Sequence, residues 1–376
     1  MPVLLRRRLV SLLLIIAASG CGVASAEVPP SIEGIVRPLM ETHRVPGVGI
    51  AVIKGGAIAW TASFGVGDVR TAQPVNGQTL FQAASISKVV TGLTVLRLVD
   101  RARIGLDTPV NQLLRSWKLP FDPAARGSAV TARLLLSHRA GTNVPGFPGY
   151  LPGAPLPSLH EILDGQRPAN TSAVKVVWPP GEAFHYFGGG TMGLEQLVND
   201  VTGTAFESLA RELVIEPVGM SRSRFAQPLG AAETNAASAH DPQGKALAGH
   251  GHVYPELAAA GLWTTPSDLT RLALAMAENW RSGGLLGRPL AREAATPVGN
   301  GPTGLGIFVV PHAGGAPWLY HYGVNAGFRS VLVFAADGSY GLVLMTNGEG
   351  GRTLIPAVIN VLLKADGQSA FTPPEG

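Results

Sequence analysis

The stretch that decides the fold runs from Phe81 to Asp100 and reads FQAASISKVVTGLTVLRLVD. Ser85 and Lys88 stand three residues apart at its start, so a helix beginning there carries both side chains on one face, a turn apart. After Lys88 the run is almost wholly apolar, which strips water from an ammonium held there. Desolvation lowers a lysine pKa and makes the neutral, basic amine accessible. A serine at a helix start also has unused backbone N–H groups and the positive end of the helix dipole beside it. The plainer reading of the same residues is an N-cap serine followed by a solvated lysine. Four residues alone do not separate the two.

Outward from this helix, each end of the chain carries a hairpin pattern. Gly47 to Ile53 (GVGIAVI) and Ala57 to Phe64 (AIAWTASF) read as strands joined across Lys54-Gly55-Gly56, because a Gly-Gly pair supplies the backbone a tight hairpin turn needs. Ser330 to Phe334 and Tyr340 to Met345 form a second pair across residues 335–339. Residues 31–43 and 354–363 read as helices that flank these hairpins, and 86–101, 131–137, 190–202, 205–213 and 266–280 are helical in between. Strands at both ends with helices in the middle predict an α/β (α+β) fold, an antiparallel sheet closed by the two chain ends around a helical insert. Residues 141–157 (GTNVPGFPGYLPGAPLP) and Trp178-Pro179-Pro180-Gly181 fit no regular element. Their aromatics, Phe147 and Tyr150, point to an ordered functional rim.

The first 26 residues read as a leader. Arg6, Arg7 and Arg8 precede an apolar run, Leu9 to Ala18, too short to span a bilayer and suited to a signal-peptide core. Ala24-Ser25-Ala26 is a small-x-small cleavage site; Ala18-Ser19-Gly20-Cys21 resembles a lipobox that would leave Cys21 lipidated and the protein attached to a membrane. An uncleaved anchor is a third arrangement. Each predicts an exported protein, periplasmic or lipid-anchored at the cell envelope, with residues 27–376 as its working domain. Cys21 is the only cysteine, so disulfides and thiolate metal clusters within the chain are excluded. With 46% hydrophobic and 14% charged residues, the core has to carry the stability. Of 29 Lys and Arg three lie in the leader, with no acid beside them, leaving 26 bases against 25 acids. That balance, without a basic stripe, argues against a nucleic-acid partner.

Several segments in order along residues 33–350 carry a resemblance. Besides Phe81–Lys88, they are Asp107-Thr108-Pro109-Val110, the segment 134–141 (LLLSHRAG), Pro180-Gly181-Glu182 with Tyr186, Glu216-Pro217-Val218-Gly219-Met220, the segment 261–269 (GLWTTPSDL), and His321-Tyr322-Gly323. Together they resemble the serine β-lactamase and penicillin-binding protein superfamily: class C β-lactamases, DD-peptidases and related esterases, for which Ser-x-x-Lys is a signature. The resemblance implies a β-lactamase/transpeptidase-like fold with no metal or other cofactor. It implies Ser85 as nucleophile, with Lys88 and Tyr186 sharing the roles of base and acid; which of them is the base stays open. It implies an oxyanion hole from the backbone N–H groups of Ser85 and Val324, and His321, Gly323 and Gly188 on the substrate side. On the residues alone, Tyr186 also reads as a buried aromatic with a hydrogen-bonded hydroxyl.

Two positions depart from the family pattern. Where the family has Tyr-x-Asn, this chain has Tyr186-Phe187-Gly188, and where it commonly has lysine this chain has His321. Gly188 offers no amide to a substrate, and a histidine is largely neutral at pH 7. Both changes remove groups that suit penicillin-like substrates, so ester or small-peptide cleavage gains ground among β-lactams, D-amino-acid peptides and esters. The same loss motivates a different class, a binder or sensor acylated by cell-wall peptides or penicillin without turnover; a fold without chemistry is the weakest alternative. His250-Gly251-His252 lacks the carboxylate or thiolate company of a metal site and reads as rim. His138 reads as a helix-end hydrogen-bonding residue, Trp263 as core. The segment 301–306 (GPTGLG) lacks the strand–turn–helix context of a nucleotide loop.

Overall fold

A computed structural model describes residues 29–125 and 127–368. The leader with its processing signals and Cys21 lies outside them. The chain opens with α1 (Pro30–His43), then β1 (Gly47–Lys54), β2 (Ala57–Asp68) and a short β3 (Gln73–Pro74). Helix α2 (Ser87–Asp100) follows the Ser85 turn, α3 is Gly188–Thr202, and α4 is Pro266–Arg281. The chain closes with β4 (Phe308–Val310), β5 (Trp318–Asn325), β6 (Phe328–Ala335), β7 (Tyr340–Thr346) and α5 (Gly351–Ala365). The main sheet is antiparallel in the order β3-β2-β1-β7-β6-β5-β4. The first hairpin therefore docks on the last strand, Val48 opposite Thr346 and Lys54 opposite Tyr340.

The hairpin turns explain why this closure is tight. Gly55 and Gly56 both have positive φ, 59° and 79°, the backbone of a two-residue turn that matches strand twist. Their N–H groups donate to the carbonyls of Ser339 and Gly338 in the other hairpin's turn, at 2.9 and 3.0 Å. The two ends of the chain are thus bonded turn to turn.

β1 and β7 are buried on both faces, which is why GVGIAVI is continuously apolar. Val48, Ile50, Val331 and Leu344 pack beneath α1 and α5 through Ile32, Val36, Leu354 and Val358. Ala51, Ile53, Phe334 and Val343 face α2 and α4 in the larger core. Helix α2 is buried nearly all round, so its two central threonines bond to carbonyls, Thr94 to Val90 at 2.9 Å and Thr91 to Ala258 at 2.8 Å.

The sequence reading of 205–213 as one helix is refined. The structure has a helix over Phe206–Ala210 that loosens into a π-helical turn at Arg211–Ile215 before Glu216-Pro217. Pro217 has no N–H to continue an α-helical ladder. Among the described residues no helix is long and apolar enough to cross a membrane.

Candidate active site

Ser85 sits in a 3₁₀ turn, Ala84–Ile86, that leads directly into α2. The residue before it, Ala84, holds a left-handed φ of 51°, a conformation that costs an L-residue about 1–2 kcal/mol. The surroundings fix it. Ser87 Oγ donates to the Ala84 carbonyl at 2.6 Å and accepts from Leu262 N at 3.0 Å. Ala83 N donates to the Leu262 carbonyl at 2.9 Å, and Ser330 Oγ to the Ala83 carbonyl at 3.0 Å. The second serine of SISK is therefore the brace of the first, a role the sequence reading did not assign.

One turn on, Lys88 Nζ donates to Ser85 Oγ at 3.1 Å and to the Ala259 carbonyl at 2.9 Å. Lys88 is 6% exposed, and burial pushes its amine down to about 7. The sequence expectation of a desolvated lysine is met. The turn that offers the Ala259 carbonyl is itself anchored, because Glu195 on α3 accepts the Ala258 N–H at 2.9 Å.

Tyr186 lies just before α3, and its hydroxyl shares a hydrogen bond with that of Ser85. Burial pushes the phenol up to about 12, against the opposing pull of that bond. The Lys88 ammonium position is 5.3 Å from the centroid of the Tyr186 ring. Tyr186 is held by the segment 137–141. His138 packs its ring on Tyr186, with centroids 4.5 Å apart, and hydrogen-bonds the Phe187 backbone. The N–H of His185 donates to the His138 carbonyl at 2.8 Å. Burial, then the charges of Lys88 and His321, push the His138 imidazole down to about 3, so it is a neutral bracket for the tyrosine.

The edge of the sheet supplies the other wall. β4 pairs only with Trp318–Tyr320, so among the described residues the outer edge of β5 from His321 onward has no strand partner, and it runs past the Ser85 turn. Gly323 makes the approach close: a Cβ there would stand 2.1 Å from both the Ala83 carbonyl oxygen and Ser330 Oγ. Its contribution is the side chain it lacks. Val324, 62% exposed, follows at the strand edge. His321 is buried with Nδ1 2.7 Å from the Tyr322 carbonyl, and burial, then the Lys88 charge, push it down to about 3. It is a neutral imidazole where a fixed cation was the family expectation.

A cleft of about 920 Å³ opens over Ser85, Lys88, Tyr186, His321 and Val324. The structure does not bring Gly188 to its wall. Gly188 is buried, and a Cβ on it would lie 2.7 Å from the ring of Phe147, which lines the cleft instead. The sequence reading placed Phe147 on a rim without connecting it to Gly188. Of the other flagged residues, His250 Nδ1 is 3.2 Å from Ser238 Oγ, His252 Nδ1 is 2.9 Å from the Pro148 carbonyl, and Trp263 is core.

Residues 32–364 match the family model described as Beta-lactamase. The chain is 24% identical over 373 residues to a protein named Beta-lactamase of Escherichia coli (strain K12), covering 89% of this chain and 93% of that one. It is 23% identical over 339 residues to Protein flp of Staphylococcus aureus (strain MW2), covering 84% of this chain and 62% of that protein. Among solved structures it is similar to the octameric penicillin-binding protein homologue from Pyrococcus abyssi, with TM-score 0.73 and 22% identity over 91% of this chain and 78% of that one. A penicillin binding protein from Bacillus halodurans superposes with TM-score 0.70 and 22% identity over 86% and 98%. These two share the fold. With the family model spanning nearly the whole described chain, the protein belongs to the β-lactamase family of the serine hydrolase superfamily.

Proposed function

We propose that this protein is a serine hydrolase that cleaves esters, ahead of β-lactams or D-amino-acid peptides, through an acyl-Ser85 intermediate. The observation that carries the reading is the buried amine of Lys88, 3.1 Å from Ser85 Oγ. At neutral pH much of it is the free base, whereas Tyr186, pushed up to about 12, keeps its proton. That asymmetry favours Lys88 as base and Tyr186 as proton donor.

In this reading Ser85 Oγ bonds to the substrate carbonyl carbon while its proton passes to Lys88 Nζ. The oxyanion is held by the N–H groups of Ser85 and Val324. The carbon–oxygen bond to the alcohol breaks as Tyr186 gives that alcohol its proton, and Lys88 restores the proton to Tyr186. Water then attacks the acyl-enzyme, gives its proton to Lys88, and Ser85 recovers it as the acid leaves. No step uses an added cofactor.

Esters are put ahead of β-lactams because the carboxylate of a penicillin needs a cation. Among the described residues lining the cleft, only Lys88 carries an ammonium or guanidinium, and it is already bonded to Ser85 and to a carbonyl. The buried Gly188 also favours a second reading, a protein acylated by penicillin or wall peptide without turnover. From the leader-like residues 1–26 we assign either activity to the cell envelope.

The test is the time course of p-nitrophenol release from a short-chain p-nitrophenyl ester by wild type and Ser85→Ala. Steady multiple turnover that vanishes in Ser85→Ala is expected. A burst of one equivalent that then stops would move the protein to the binder class.

A further inference from the structure

The cleft beside Ser85 is walled by rings: Phe147, Phe184, Phe187, Phe308, Tyr320 and Tyr322 all line it. The rings support one another. Phe308 lies against Tyr320, Tyr186 and Phe184, with centroids 5.0, 5.7 and 6.1 Å away. At the rim Trp178 stacks on His185 at 4.7 Å and on Phe187 at 5.4 Å. Such a wall is an arrangement of mutually packed aromatic faces rather than a set of mobile side chains.

Phe147 is placed by what faces it. With a Cβ at Gly188 only 2.7 Å from its Cε2 atom, the ring occupies the volume that any side chain at 188 would fill. The segment that carries it is tied down: Gly189 N donates to the Val144 carbonyl at 3.0 Å, Tyr150 N to Val253 at 2.8 Å, and Asn170 N to the Tyr150 hydroxyl at 3.0 Å. The missing amide at 188 and the added aromatic surface at 147 are therefore one feature. At this point the cleft wall is the Phe147 ring and not a side chain at 188.

We propose that this wall is an acyl-group pocket, and that the preferred substrates are uncharged esters whose acyl group is aromatic or a medium-length alkyl chain. The proposal rests on the hydrolase reading above and narrows it. The acyl group is the part of an ester that stays on Ser85 through both chemical steps, so ring contacts with it act on acylation and deacylation alike. A cleft of about 920 Å³ is far larger than an acetyl group needs. A carboxylate on the acyl chain would meet an aromatic wall, and among the described residues lining the cleft the one cation, Lys88, is already bonded to Ser85 and to a carbonyl.

The experiment compares kcat/KM for p-nitrophenyl acetate, hexanoate and phenylacetate, and for the p-nitrophenyl esters of succinic acid and of monomethyl succinate. Hexanoate and phenylacetate should exceed acetate by about tenfold or more, the scale on which apolar pockets discriminate. The charged succinate should fall below its methyl ester by about tenfold or more. Phe147→Ala should reduce the ratio of phenylacetate to acetate several-fold, and the wild-type series stands by itself if that variant does not fold. Equal rates for acetate and the longer esters, or for the charged and methylated succinates, would overturn the pocket while leaving a Ser85-dependent hydrolase in place. Release that is the same in Ser85→Ala for every ester would instead overturn the hydrolase reading, and the pocket with it.

Discussion

At the scale of single residues, chemistry is set by what burial does to two protons. Lys88 has a folded-state pKa of about 7 against 10.5 for a free lysine. Between those values the unfolded chain binds more protons than the folded one, so stability rises with pH across that window and the penalty is complete below 7. Two outcomes follow for Lys88→Met. It should lose about 10²–10⁴ in kcat/KM, together with the rise in activity expected of wild type as pH climbs through about 7, where burial places the Lys88 amine. It should also melt higher than wild type at pH 6, by a margin that shrinks towards pH 10. Melting curves and pH–rate profiles check both, and a wild-type profile flat from pH 5 to 9 would contradict the assignment of Lys88 as base. Ser85, Lys88 and Tyr186 were legible because their spacing and flanking segments carry a recognisable pattern. Phe147 was not. Its meaning depends on a glycine in a different segment, and no periodicity or local propensity reports that the two meet in space.

At the scale of elements, the site is a junction between the Ser85 turn and the free edge of β5. Gly323 sets how near they come, because a Cβ there would collide with backbone at 2.1 Å. Gly323→Ala should therefore push β5 outward, destabilise by about 1–3 kcal/mol as overpacking does, and lower ester kcat/KM by at least about tenfold. Urea unfolding and steady-state kinetics check this; a variant unchanged in both would mean that the strand does not set the geometry at Ser85. The glycine of HYG was visible in the sequence as part of a motif, but its reason was not, since the colliding carbonyl belongs to Ala83. Ser87, Ala259 and Glu195 escaped notice for the same cause. Ser87 and Glu195 each accept a backbone N–H from a distant segment, those of Leu262 and Ala258, and Ala259 acts through its own carbonyl on Lys88; backbone partners leave no signature in side-chain identity.

For the molecule as a whole, the sheet holds the chemistry on one face and its fastening on the other. The two termini contribute that fastening, with α1 and α5 covering the face away from α2. The hairpins were readable early, the first from the Gly-Gly in its turn and the second from two apolar runs across residues 335–339; that β1 and β7 are buried on both faces comes from the structure. Leu354→Ala, at a fully buried position on α5, should cost about 2–5 kcal/mol. Urea denaturation measures that cost, and the relative rates for different esters should not change. A changed acyl preference would show that the fastening face and the cleft are coupled.

If Ser85 is the nucleophile it becomes acylated, and the mass of the peptide containing Ser85 reads this out. The protein is mixed with a p-nitrophenyl ester, quenched in acid within the first turnover and digested. In wild type the peptide should gain the mass of one acyl group on Ser85, and in Ser85→Ala it should gain none. An acyl group found only on another residue, or turnover with no adduct on Ser85 at any quench time, would contradict it.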